Sequence, residues 1–360
     1  MKSDGRPATR RTAALAALPD DLDGLLVTRT ENVRYLSGFT GSNGAVLLTR
    51  EDAPVLCTDG RYVLQAAGEA PDLEVLEASR VAAALVERAA ASGRRRLGFE
   101  AHHVSVELLR TLGPAADGRV ELVPAGRPVE RLRAVKDAAE VGALRRACAA
   151  TDQAFEAVLI TLSAGMTELD AEWALLSALR AAGADGPSFP SIVAFGPNAA
   201  IPHHQPSDRR LADGDLVKLD FGALVDGYHA DMTRTVVIGS ASGWQRELHA
   251  EVQTIQADLA DAVAPGVVPA HLDAEMRSRI TAAGHPVAHG LGHGVGLEIH
   301  EDPFLTDGSP AAPLEAGMVV TIEPGIYLAG RGGVRIEDSI LVTADGHESL
   351  TTSPRELVEI

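Results

Sequence analysis

The stretch AHGLGHGVGLEIHE, residues 288–301, constrains this chain more than any other segment. His289, His293 and His300 fall within twelve residues, interleaved with four glycines. Glycine permits positive φ and lets the backbone approach a ligand closely. Histidine supplies a neutral nitrogen that can bind a metal, or a proton that can move near pH 7. The glycines run G-x-G-x-G rather than G-x-G-x-x-G, with no strand–turn–helix pattern around them, which argues against a phosphate loop. A surface loop with incidental histidines is the competing reading. What decides between them is where the chain keeps its carboxylates.

Asp220 lies within LVKLDFG, residues 216–222. A carboxylate inside an apolar, β-rich run is costly unless it is paired or bound to metal. Asp231 follows eleven residues later in GYHADMTRT. Glu323 closes the run MVVTI and precedes Pro324-Gly325, and Glu337 lies in GVRIEDSI. Strand alternation puts Arg335 and Glu337 on one face. Each acid taken singly reads as a strand-end salt bridge or turn residue. Four acids at the ends of apolar runs, with a glycine-flanked histidine, read as a metal centre, because crowded carboxylates need cations to offset their repulsion. Oxygen-rich ligation with one imidazole suits manganese, cobalt or iron better than a structural zinc site. Five ligands with bridging carboxylates suit two metals about 3.5–4 Å apart.

The rest of the chain narrows the class. Asp and Glu total 50 against 32 Lys and Arg, a net charge of −18 that would repel nucleic acid and anionic membranes. No apolar run approaches the roughly 20 residues of a membrane span. Cys57 and Cys148 are far apart and give no disulfide framework, so a cytoplasmic location is expected. Residues 1–11 are polar and basic and read as a disordered tail. Residues 12–127 alternate strands (24–27, 33–36, 45–48, 53–58, 96–100) with helices (81–91, 105–112), which implies an α/β domain. Prolines 124 and 128 punctuate the chain, and a second domain is expected over residues 128–360. It carries helical patterns at 135–162, 169–182, 244–263 and 270–283, with strands at 192–195, 216–221, 235–238, 318–322 and 334–342.

The segments LDFG, GYHADMTRT, HGLGHGVGLEIHE, TIEPGIY and GVRIEDS, in this order and at this spacing, resemble the Xaa-Pro peptidases of the pita-bread metallopeptidase group, aminopeptidase P and prolidase. NVRYLSGFTGSNG, residues 32–44, is typical of their N-terminal domain, so the resemblance spans essentially the whole chain. It implies an α/β creatinase N-like domain followed by an α+β pita-bread (creatinase/aminopeptidase-like) catalytic domain whose ligands lie on a curved sheet. It implies that Asp220, Asp231, His293, Glu323 and Glu337 hold two divalent metals, most simply manganese, with cobalt or zinc as alternatives. His203, with His204 as the second choice, and His300 would hydrogen-bond the substrate carbonyl and the oxyanion. Glu323 would orient the nucleophile and shuttle its proton, and Arg335 would pair with ligand carboxylates. His289, Phe195, Tyr228 and Phe304 complete the expected substrate contacts. The expected partners are proline-containing peptides and a second copy of the chain, as a homodimer.

Prolidases of this kind often carry an arginine four residues after the histidine equivalent to His300, to hold a dipeptide's carboxylate. Phe304 stands there, which favours aminopeptidase P activity over a strict dipeptidase unless Arg29, Arg34 or Arg331 reaches the same point. A metal-free creatinase-like hydrolase and a non-catalytic pita-bread binding module would both lack the ligand set. A methionine aminopeptidase would lack so long an N-terminal domain.

Overall fold

The apolar runs of the first third of the chain pair into one sheet. In the computed structural model, which describes residues 6–308 and 312–360, six strands lie in the order Glu74–Glu77, Val55–Thr58, Gly44–Thr49, Gly24–Val27, Arg96–Phe99 and Glu121–Pro124. The pairing is mixed: Gly24–Val27 is antiparallel to Gly44–Thr49 and parallel to Arg96–Phe99. Helices Val81–Ala91 and Val106–Ala116 bury Leu85, Val86 and Leu112 against Leu26, Leu47 and Leu97.

Two expectations change here. Residues 33–36 are not a strand but the middle of helix Thr30–Ser37. Gly38, at φ 81°, closes that helix in the left-handed conformation and donates its N–H to Arg34 O at 2.7 Å. Residues 6–11 of the expected tail are instead part of helix Arg6–Ala16, tied down by Arg11 Nη1, which donates to Leu36 O at 2.8 Å. Residues 1–5 of the expected tail lie outside the described residues.

The chain divides into two compact units after Arg133 rather than at residue 127. The helix Pro128–Ala134 starts at a proline, and two of its charged side chains bond Asn32 of the first unit. Asn32 Nδ2 donates to Glu130 Oε1 at 2.7 Å, and Arg133 Nη1 donates to Asn32 Oδ1 at 2.8 Å.

In the second unit, helix Ala138–Leu159 begins at a capping box. Asp137 Oδ1 accepts from the Ala139 and Glu140 N–H groups, and Glu140 Oε2 accepts from Asp137 N–H. This helix and Glu168–Ala181 bury Phe155, Leu175 and Leu179 against one face of the antiparallel sheet Met232–Val237, Leu216–Phe221, Ile192–Phe195. Helices Gly243–Asp261 and Pro269–Ala282 bury Val252, Ile255, Met276 and Ile280 with Val320, Ile322 and Ile340 of a second sheet. That sheet runs Glu301–Leu305, Gly292–Gly294, Val319–Ile322, Asp338–Val342, His347–Ser349. The expected single strand 334–342 is two, Gly332–Arg335 and Asp338–Val342, broken at Ile336-Glu337. Helices thus claim one face of these strands, and alternation sends Lys218, Asp220 and Thr321 to the other. No helix among the described residues is long and apolar enough to cross a membrane.

Candidate metal centre

Five acidic and imidazole side chains are delivered from positions within or next to strands. Asp220 is the penultimate residue of Leu216–Phe221 and lies opposite Thr233. Asp231 immediately precedes Met232–Val237, and Glu323 immediately follows Val319–Ile322. Glu337 sits in the break between two strands, where its N–H donates to Thr233 O at 3.1 Å. His293 lies in Gly292–Gly294, and the glycines beside it allow tight strand packing. A Cβ on Gly292 would lie 2.1 Å from Thr321 O, and one on Gly294 2.4 Å from Asp302 O. None of the four glycines at 290–296 takes a positive φ. They serve close approach of neighbouring strands rather than the turn geometry the sequence suggests.

Ligand-capable atoms of Asp231, His293 and Glu337 lie within 4.8 Å of one another. His293 Nε2 is 3.5 Å from Asp231 Oδ2 and 3.4 Å from Glu323 Oε1. His293 Nδ1 is 3.1 Å from Gly294 O, a bond that places its proton on Nδ1 and leaves the Nε2 lone pair facing the acids. Asp220 and Glu323 line the same cleft, which encloses about 650 Å³, a volume suited to a small ligand.

The electrostatics of this set suit a cation. Burial, reinforced by Asp220 and Glu323, raises the Asp231 carboxyl well above its usual range. Burial also raises Glu337, with Asp231, Glu323 and Asp220 adding to it. Glu323 is pushed up to about 8, first by burial; Arg335 opposes the rise and Asp220 adds to it. His293 is held down to about 3 by burial, with His300 beside it. Asp231 Oδ1 is buried with no hydrogen-bond partner. Buried oxygen donors with their negative charge suppressed, one of them orphaned, fit divalent metal ions, which would restore the ionised forms.

Arg335 organises the acids from behind. Its Nη2 donates to Asp220 Oδ2, and its Nε donates to Thr233 Oγ1 at 3.1 Å. Thr233 Oγ1 in turn donates to Glu337 Oε2 at 2.7 Å. Arg335 Nη1 donates to the Tyr327 hydroxyl at 2.7 Å, and that hydroxyl is 2.8 Å from His289 Nε2. His289 Nδ1 is engaged by Gly290 O, so the tyrosine is the donor to Nε2. Burial, then Arg335, holds His289 down to about 4.

The cleft brings together most, not all, of the expected substrate contacts. His203, His289, His300 and Phe304 line it. The His300 ring stands edge-on to His293, centroids 4.3 Å apart. Two expected contacts fall away. Phe195 is fully buried in the core beneath the sheet and does not line the cleft; alternation gives that place to Ile192. Tyr228 donates its hydroxyl to Glu140 Oε1 at 2.9 Å, outside the cleft lining. Arg331 lies over Trp244 at 4.1 Å and is not a lining residue.

Two residues escaped the sequence reading. Glu168 is fully buried and accepts from Phe195 N–H, Asn198 Nδ2, Ser207 N–H and Ser207 Oγ, and faces His204 Nε2 at 2.8 Å. Burial opposes its charge, but bonds from Ser207, His204, Phe195 and Asn198 hold its carboxyl below the usual range. His204, the second choice beside His203, also lines the cleft but is pinned by this carboxylate. Lys218 is buried beneath the same segment, and burial, helped by Arg335, pushes its ammonium down to about 6.

Comparison with known proteins fits this architecture. Residues 142–344 match the model of metallopeptidase family M24, and residues 11–135 match the creatinase/prolidase N-terminal domain. The chain belongs to metallopeptidase family M24 and has the pita-bread fold of the Xaa-Pro peptidases. An Xaa-Pro dipeptidase of Pyrococcus horikoshii is 33% identical over 342 residues, covering 94% of this chain and 95% of its own. The structure of an Xaa-Pro dipeptidase from Bacillus anthracis superposes with a TM-score of 0.92 at 36% identity, covering 98% of this chain and all of its own. An X-Pro aminopeptidase from Thermotoga maritima gives 0.87 at 34%, with the same coverage.

Proposed function

We propose that this chain hydrolyses the peptide bond between an N-terminal residue and proline, acting as an Xaa-Pro dipeptidase. The observation that carries the reading is the convergence of Asp220, Asp231, His293, Glu323 and Glu337 in one cleft of a family M24 chain. These five residues would hold two divalent metals, manganese first, with cobalt or zinc as alternatives. When bound, such metals supply Lewis-acid activation of water at neutral pH.

The chain's own groups do the rest. Glu323 accepts a proton from the attacking water and passes it towards the leaving proline nitrogen. His203 and His300 donate hydrogen bonds to the scissile carbonyl oxygen as it gains charge. Arg335 holds Asp220 directly and Glu337 through Thr233, which keeps both carboxylates oriented. His289, fixed by Tyr327 and Gly290, and Phe304 form the wall against which the substrate lies.

The choice of dipeptide leans on the relatives, two of which carry dipeptidase names at 33% and 36% identity over nearly the whole chain, against one X-Pro aminopeptidase at 34%. This departs from the sequence reading, which took Phe304 as a sign of longer substrates. Aminopeptidase P activity is the second reading, favoured by one observation: among the described residues the only arginine lining the cleft is Arg335, already engaged by Asp220 and Tyr327. The deciding measurement is kcat/KM for an X-Pro dipeptide against the same dipeptide extended by two residues. A dipeptide preference of about tenfold or more supports the proposal. A preference for the extended peptide replaces it with the second reading.

A homodimer in the cytoplasm completes the proposal. The two cysteines are buried thiols without a disulfide, which suits a reducing compartment. Light scattering at micromolar concentration tests the dimer.

A further inference from the structure

A buried lysine lies beneath the loop that carries His203, and none of the chemistry above uses it. Lys218 is fully buried on strand Leu216–Phe221, two residues before Asp220, so both side chains leave the same face. Its neighbours Val217 and Leu219 point into the apolar core. A buried lysine is retained only where its donors are satisfied. Lys218 makes no ion pair among the described residues. Its Nζ donates instead to two peptide carbonyls, Ile201 O at 2.6 Å and Pro202 O at 3.1 Å. Arg335 Nη1 donates to the second of these at 3.3 Å. The two carbonyls belong to the residues immediately before His203, in a segment without helix or strand. His203 itself is exposed and lines the cleft. The far side of the segment is held at His204 and Ser207 by Glu168.

We propose that Lys218 is a positioning residue. It fixes the backbone at Ile201 and Pro202, and thereby sets where the His203 imidazole meets the substrate carbonyl. The proposal rests on the role given to His203 above. Without Lys218, Ile201 O loses its side-chain donor and Pro202 O keeps only the longer bond from Arg335, so the backbone before His203 gains freedom.

The test is a double-mutant cycle on the metal-loaded full chain with an X-Pro dipeptide, using Lys218→Met and His203→Ala singly and together. Lys218→Met should lower kcat at least about fivefold, with KM changed by less than about twofold and metal content unchanged. In the His203→Ala background it should change kcat by less than about twofold, because the group it positions is gone. Lys218→Gln, which keeps an N–H donor, should recover part of the kcat lost in Lys218→Met. If Lys218→Met does not fold, Lys218→Gln goes through the same cycle. An equal loss of kcat in both backgrounds, or no loss in either, overturns the proposal and leaves the peptidase reading intact. A His203→Ala enzyme as active as the unmodified one removes the role of His203, and the proposal with it.

Discussion

His293 and Phe304 stand directly opposite each other across the antiparallel pair Gly292–Gly294 and Glu301–Leu305. Opposed residues share a face, so an imidazole and an aromatic ring look into the same cleft. Leu305, one residue on, turns into the core. Phe304 is therefore a wall of the site and not core packing. Phe304→Ala should lower kcat/KM for an X-Pro substrate about tenfold, chiefly through KM, since the proline ring loses an apolar surface. Steady-state kinetics at unchanged metal content checks this; an unchanged KM would place the proline elsewhere.

Glu323→Gln keeps the size of the side chain and removes its charge and basicity. Turnover should fall by at least about two orders of magnitude. Near-normal turnover would show that another group handles the proton.

Glu168 is a buried acid whose partners are spread along the segment from Phe195 to Ser207. Removing it strands buried donors, which costs on the order of 3 kcal/mol. Glu168→Ala should lower the unfolding free energy by about that amount in urea, whereas a change below about 0.5 kcal/mol would mean water replaces the carboxylate.

His249, buried on helix Gly243–Asp261, gives a pH dependence. Burial lowers its pKa from 6.5 to about 4, so the folded chain prefers the neutral ring. Between those values the unfolded chain binds the additional proton, and stability rises with pH. The contribution is complete above 6.5 and falls away as the pH drops towards 4, by about 3 kcal/mol at most. Unfolding titrations from pH 4 to 7 should show this slope in the unmodified chain and a shallower one in His249→Phe. Equal slopes would show that the ring is protonated when folded.

The acid cluster was legible because each acid breaks an apolar strand pattern, and buried charge in such a run demands a partner. The same rule, applied to Lys218 four residues earlier than Gly222 in LVKLDFG, flags that lysine too; its partners are backbone carbonyls, which carry no sequence signal. Glu168 gives no signal because an acid in the first turn of a helix already has a reason to be there. Strand parity sends Phe195 to the core side, and Tyr228 bonds Glu140 outside the cleft lining, a partner with no sequence signal. The helix Thr30–Ser37 read as a strand because residues 33–36 are short and apolar, a pattern that fits either element.

The central claim is that metal held by Asp220, Asp231, His293, Glu323 and Glu337 enables cleavage before proline. The direct measurement strips the protein with a chelator, then titrates manganese while following X-Pro and X-Ala dipeptide hydrolysis and counting bound metal. The account predicts no hydrolysis by the stripped protein, recovery that saturates at about two metals per chain, and cleavage of the X-Pro dipeptide alone. Full activity of the metal-free chain, or equal cleavage of X-Ala, would contradict it.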